Sequence, residues 1–236
     1  MTTYLSLAIG ACFLIAFLVM CNKKRSVPGV YIKNLTSIFF LLTTVTSAFN
    51  NTGYADIWKY ALLIVMGGVF GLMGDIYLDQ KWLYSEHKDQ YLNMGFVSFG
   101  IGHFFYMAAM YIHAGFAAKD MLIPVAIGAV IALGNLVLEK PTQQKFGKFK
   151  AIVTVYGLIL GTMAGTALMA YIKTKQPAFL VYTIGAVFFL LSDLILSPMY
   201  FGEGKNTPVN FVLNHTTYYV GQYMIAFSTF LLAANA

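Results

Sequence analysis

The stretch GGVFGLMGDIYLD, residues 67–79, sets Asp75 deep in an apolar segment, and GAVFFLLSDLILS, residues 185–197, does the same with Asp193. A carboxylate at membrane depth costs at least about 3 kcal/mol, so a chain keeps one there for proton transfer, substrate contact or a helix–helix bond. Here the placement occurs twice in matching context. Gly67 stands over Gly185, Val69 over Val187, Phe70 over Phe188, Leu72 over Leu190 and Leu78 over Leu196, at an offset of 118 residues in a chain of 236. The pattern predicts an internal duplication whose two copies each bring one carboxylate to a shared interior. A single buried aspartate often does no more than tie two helices together; two in matched positions argue for chemistry.

Composition places both segments in a membrane. The chain is 59% hydrophobic and only 10% charged, with mean hydropathy +0.71, against about 25% charged residues in soluble domains. Its net charge of +6 comes from lysines scattered between apolar segments, which suits loops facing anionic lipid and carries no nucleic-acid signature. Cys12 and Cys21 lie on the same first segment, too far apart along one helix to form a disulfide.

Apolar length predicts eight spans, at residues 4–21, 30–48, 58–80, 91–113, 121–138, 149–171, 177–197 and 209–233, each near the 17–25 residues that cross a bilayer core. The expected fold is all-α: a single polytopic transmembrane domain over residues 1–236, with candidate repeat halves at 1–118 and 119–236. The first span lacks a basic leader and a small-residue cleavage site, so it reads as a retained helix. Eleven of the fifteen basic residues flank the connections after spans one, three, five and seven. By the positive-inside rule that side is cytoplasmic, and both termini lie on the opposite side; in a bacterium the membrane would be the inner one. Four spans return the chain to its starting side, so the halves would be parallel repeats with their third helices, carrying the aspartates, paired at the centre. IKNLTSIFFLL from Ile32 also resembles FKAIVTVYGLI from Phe149, and Gly102-His103-Phe104 falls over Gly221-Gln222-Tyr223.

Further polar residues sit inside the spans. Gly67, Gly71 and Gly74 give Asp75 a face that a neighbouring backbone can approach, which points inward. In VLNHTTYYVGQYMIA, residues 212–226, His215, Tyr218, Tyr219 and Gln222 recur at one-face helical spacing. His103 lies mid-span in SFGIGHFFYMAAMY, and Asn135, Tyr156 and Lys33 are additional interior candidates. Most of these fall near the cytoplasmic ends of their helices. The layout predicts a polar pocket open to that side and closed by apolar residues beyond, suited to a substrate with a polar head and an apolar tail.

GLMGDIYLD, the GxGHxxY pattern at residues 100–106, LLSDLIL and TTYYVGQYMIA resemble, in this order and spacing, the YhhN family of eight-span proteins, whose characterised members are lysoplasmalogenases. The resemblance runs from Lys33 to near the end of the chain. Where the family usually shows Lys-Pro-Leu at the start of the second span, this chain has Lys33-Asn34-Leu35. The lysine is kept, but the local helix start is open.

The resemblance implies hydrolysis of the vinyl ether of a lysoplasmalogen, giving a fatty aldehyde and a glycerophospho-ethanolamine or -choline. A vinyl ether is cleaved by protonating its β-carbon, after which water captures the oxocarbenium ion. That requires one protonated carboxyl and one ionised carboxylate, and two carboxyls sharing a buried site divide into those states. Asp75 and Asp193 are the expected pair, with the acid unassigned. His103 or His215 would orient water, Lys33 with Tyr218 or Tyr219 would meet the phosphate, and Asn135, Tyr156 and Gln222 would line the substrate. The implied partners are a lysophospholipid substrate and membrane lipids, with no cofactor, no nucleic acid and no oligomeric state set by the sequence. Two alternatives stand beside this reading. One is a lipid transporter or receptor using the same pocket without turnover. The other is a metal-dependent lipid hydrolase with Asp75, His103, Asp193 and His215 as ligands, although no short histidine spacing supports it.

Overall fold

In hydrocarbon every backbone N–H and C=O must be bonded within the segment, so long apolar runs become helices. The computed structural model describes residues 1–21, 26–50 and 56–234, and among these there are eight long helices and no named strand. They are α1 (Thr2–Cys21), α2 (Val27–Phe49), α3 (Ile57–Leu83), α4 (Lys88–His113), α5 (Leu122–Leu138), α6 (Lys150–Thr174), α7 (Pro177–Phe201) and α8 (Pro208–Ala234). Seven of these, extended by adjoining 3-10 turns in three cases, are long and apolar enough to cross a membrane. The eighth, α8, has the length but carries the stripe of His215, Tyr218, Tyr219 and Gln222, all of which the fold turns inward. The chain is therefore a multi-pass membrane protein. Of the basic residues counted for orientation, Lys23, Lys24 and Arg25 lie outside the described residues.

The start of α2 answers the question left by Lys33-Asn34-Leu35. The helix begins at Val27, capped by the Ser26 hydroxyl accepting from the Gly29 N–H at 3.3 Å, with Pro28 in its first turn. Lys33 thus stands inside the helix rather than at its lip. Near the other end of the chain, Pro198 lies in the last turn of α7, where it cannot donate to the Leu194 carbonyl.

Neighbouring helices pair as four hairpins, α1/α2, α3/α4, α5/α6 and α7/α8. Within each half the second helix packs on the third, and the last helix of each half packs on the second helix of the other, α4 on α6 and α8 on α2. The result is a closed ring in the order α2, α3, α4, α6, α7, α8. Helix α1 leans on α2 and α8, and α5 lies outside against α6.

The expected central pairing of the two third helices is not what forms: α3 and α7 stand on opposite sides of the ring. The reason lies in the glycines, which spend their close approach inside each hairpin. A Cβ on Gly102 would come within 2.8 Å of the Gly67 carbonyl, and one on Gly221 within 2.7 Å of the Gly185 carbonyl. Both residue pairs matched in the sequence thus make the same backbone crossing, α3 on α4 and α7 on α8. Gly221→Val should force α7 and α8 apart and cost about 1–3 kcal/mol, read as a lowered unfolding temperature in detergent. An unchanged temperature would contradict this packing.

Candidate functional site

Inside the ring, at the end where α2, α4, α6 and α8 begin and α3, α5 and α7 finish, lies a cavity with about 990 Å³ of atom-free space including its mouth. Much of its lining is apolar, with Leu78, Leu92, Phe96, Phe99, Ile131, Leu160, Leu190 and Leu194 among the side chains. Polar side chains also face it, namely Lys33, Asp75, Asp79, Asn135, Tyr156, Ser192, Asp193, Ser197, Asn214, His215 and Tyr218. A chamber with both kinds of lining suits an amphiphile.

Asp75 enters from α3 and is 3% exposed. Its Oδ1 lies 3.1 Å from Lys33 Nζ, and its Oδ2 accepts from the Ser37 hydroxyl at 3.0 Å and the Tyr218 hydroxyl at 2.8 Å. Lys33 Nζ also lies 3.0 Å from Oδ2 of Asp79, one turn beyond Asp75. Lysine and both aspartates are almost completely shielded from solvent, so the ammonium is committed to two carboxylates rather than standing ready for a phosphate. Such a buried cluster persists only when its charges are paired and hydrogen-bonded.

Asp193 enters from α7 on the opposite wall and is half-buried. Its Oδ2 accepts from the Tyr156 hydroxyl of α6 at 2.5 Å. Among the described residues no lysine, arginine or histidine forms an ion pair with it. The two carboxylates therefore share a cavity in different company: Asp75 faces a cation, Asp193 a neutral phenol.

A further polar side chain stands behind the tyrosine that meets each aspartate. Gln222 of α8 donates to the Tyr218 hydroxyl at 3.3 Å, behind Asp75, and accepts from Tyr106 at 2.6 Å. His103 of α4 lies 3.3 Å through Nε2 from the Tyr156 hydroxyl, behind Asp193. His103 and Gln222 are the residues that the sequence offset set over one another. Neither lines the cavity. His103 is 1% exposed, and among the described residues its Nδ1 finds no hydrogen-bond partner. Tyr219 also lies behind the wall, bonded to Ser37 and to the Lys33 carbonyl.

Of the sequence candidates, Lys33, Asp75, Asn135, Tyr156, Asp193, His215 and Tyr218 line one cavity, while His103, Tyr219 and Gln222 support it from behind. His215 holds its Nδ1 against the Phe211 carbonyl at 2.8 Å, an ordinary helical tie that fixes its ring. Among the described residues no three His, Cys, Asp or Glu side chains converge as metal ligands; His103 and His215 are not brought together with the aspartates as a ligand set.

Sequence reasoning passed over Asp79, Ser37 and Asn214. Each had a signal at one helical turn: Asp79 from Asp75, Ser37 from Lys33, Asn214 from Tyr218. Asn214 donates to the Ser192 carbonyl at 2.8 Å, joining α8 to α7 beside Asp193.

The connection at residues 139–149 is tied to the end of α7 that borders the cavity. Gln144 accepts from the Ser197 hydroxyl at 2.5 Å, the Lys145 N–H donates to the Phe201 carbonyl at 2.9 Å, and Phe146 packs edge-on against Phe201. Lys148 pairs with Asp89 at the start of α4, and Lys145 with Glu203.

An all-helical ring enclosing two unlike carboxylates in a multi-pass protein defines a polytopic membrane protein with an internal cavity lined by apolar and polar side chains. Residues 28–229, most of the chain, match the YhhN family, and the chain belongs to it. Comparison with curated proteins and with solved structures finds no match.

Proposed function

We propose that this protein is a lysoplasmalogenase, an ether hydrolase that cleaves the vinyl ether of a lysoplasmalogen to a fatty aldehyde and a glycerophospho-ethanolamine or -choline. The observation that carries the reading is the pair of aspartates on opposed walls of one cavity with unlike partners. Family membership is consistent with a hydrolase.

Asp193, beside a phenol and no cation, is the proton donor to the β-carbon. Asp75, held ionised by Lys33, is the countercharge for the oxocarbenium ion. Water adds to the carbon bearing the ether oxygen, Asp193 recovers a proton from that water, and the hemiacetal collapses to aldehyde and alcohol. The logic is that of the paired carboxylates of glycoside hydrolysis. His215 stands beside the attacking water, Tyr156 and Tyr218 keep the aspartates aimed, and Asn135 borders the substrate. The phosphate sits toward the lysine-bearing end at residues 139–149. Lys33 serves the carboxylates rather than the phosphate, and His103, Gln222 and Tyr219 position the tyrosines and Lys33.

Two further parts belong to this reading. The lysine-rich end faces the cytoplasm, with both termini on the far side. Residues 1–118 and 119–236 are copies of one unit, supported by the matched crossings and by the corresponding places of His103 and Gln222. In the Asp193 arm the copy carries histidine where the Asp75 arm carries glutamine.

The test is aldehyde release by the purified protein from a lysoplasmalogen. Asp75→Asn should lower it by about 10²–10⁴-fold. Asparagine can still accept from Ser37 and Tyr218, and Lys33 keeps Asp79, so the variant should remain folded. Full activity would remove Asp75 from the mechanism. Binding of the lipid by the parent protein without aldehyde would point instead to a carrier.

A further inference from the structure

Helix α5 is held by one face. It packs along α6 at glycine-tight spacing, where a Cβ on Gly161 would come within 2.8 Å of the Gly128 Cα, and makes no other extensive contact with a long helix. Yet Ile131 and Asn135 of α5 line the cavity, although α5 lies outside the ring. They reach it across the gap between α5 and α7, over α6. On the facing side of that gap, Leu190, Leu194 and Ser197 of α7 line the cavity at one-face helical spacing. Leu194 is both a cavity residue and 46% exposed. The inner surface and the lipid-facing surface therefore meet at this side chain. On α6, Gly157 also lines the cavity and lets α5 come close, since a Cβ there would be 2.7 Å from the Asn135 Nδ2.

We infer that this groove, walled by α5 and α7, is a binding subsite for a single unbranched hydrocarbon chain, which leaves the cavity sideways into the bilayer at Leu194. The inference rests on the reading of the cavity as the seat of a lysolipid's polar half. Lipid tails are as apolar as leucine, so there is no driving force to pull a chain out of the membrane into a closed pocket. A side opening removes the need: the head enters the chamber while the tail stays among other tails.

The test uses the full chain in nanodiscs with an ester-linked lysophospholipid carrying a diazirine at its chain end, a probe that has no vinyl ether to lose. After irradiation, adducts mapped by mass spectrometry should concentrate on α5 around Ile131 and on α7 around Leu190 and Leu194, and unlabelled lysophospholipid should suppress them. Adducts confined to other outward faces, or not suppressed, would overturn the inference. In a second measurement, Leu194→Trp should reduce kcat/KM for a long-chain lysoplasmalogen about tenfold more than for a short-chain one. An equal effect on both would also overturn it. If no substrate yields aldehyde, the catalytic reading falls, and the adduct map still decides the groove.

Discussion

Asp193→Asn is expected to reduce aldehyde release by about 10²–10⁴-fold while leaving the unfolding temperature in detergent close to that of the parent. Asparagine has nearly the same volume, and its carbonyl oxygen can accept the Tyr156 hydroxyl as Asp193 Oδ2 does. No ion pair is lost, because among the described residues no basic side chain forms one with Asp193. What disappears is the proton that must reach carbon. An aspartate that only joined α6 to α7 would tolerate this change. Parental activity in the variant would remove Asp193 as the acid, and loss of activity together with collapse of the fold would assign it a structural role.

Lys33→Met is expected to fail differently, by losing the fold. Lys33 lies 3.1 Å from Asp75 and 3.0 Å from Asp79, and all three side chains are buried. Removing the ammonium takes from both carboxylates the cation that they share. Breaking a buried pair by deleting one partner typically costs about 3–5 kcal/mol. The variant should show a markedly lowered unfolding temperature and poor recovery from the membrane. Adding Asp79→Asn to Lys33→Met should restore part of the stability, since one of the two buried carboxylates that the ammonium offsets is then neutral; this coupling would place the two residues in one network. Activity should stay low, because Asp75 still lacks its cation. A Lys33→Met protein as stable as the parent would contradict the ion cluster.

The helices were legible because membrane crossing imposes a length and a polarity on each segment. The inward stripe of α8 was legible for the same reason, as polar groups at helical spacing have nowhere to face but the interior. Asp75 and Asp193 declared themselves through cost. What linear order does not carry is which helix stands next to which. Gly67 and Gly185 promised a close neighbour, and each found it in its own hairpin partner, so α3 and α7 ended on opposite sides of the ring. The same limit hid the commitment of Lys33 to Asp79, a contact between α2 and α3 that depends on how both helices are rotated. It also hid the withdrawal of His103 behind Tyr156. Mid-membrane depth was readable for His103, but the hydroxyl in front of it belongs to another helix 53 residues away.

Proton delivery to carbon is the step on which the proposed hydrolysis turns. Purified protein supplied with a lysoplasmalogen in deuterated water should release an aldehyde carrying one deuterium on the carbon next to its carbonyl, and the Asp193→Asn protein should release almost none. Aldehyde from the parent without that deuterium, or undiminished release from the variant, would contradict it.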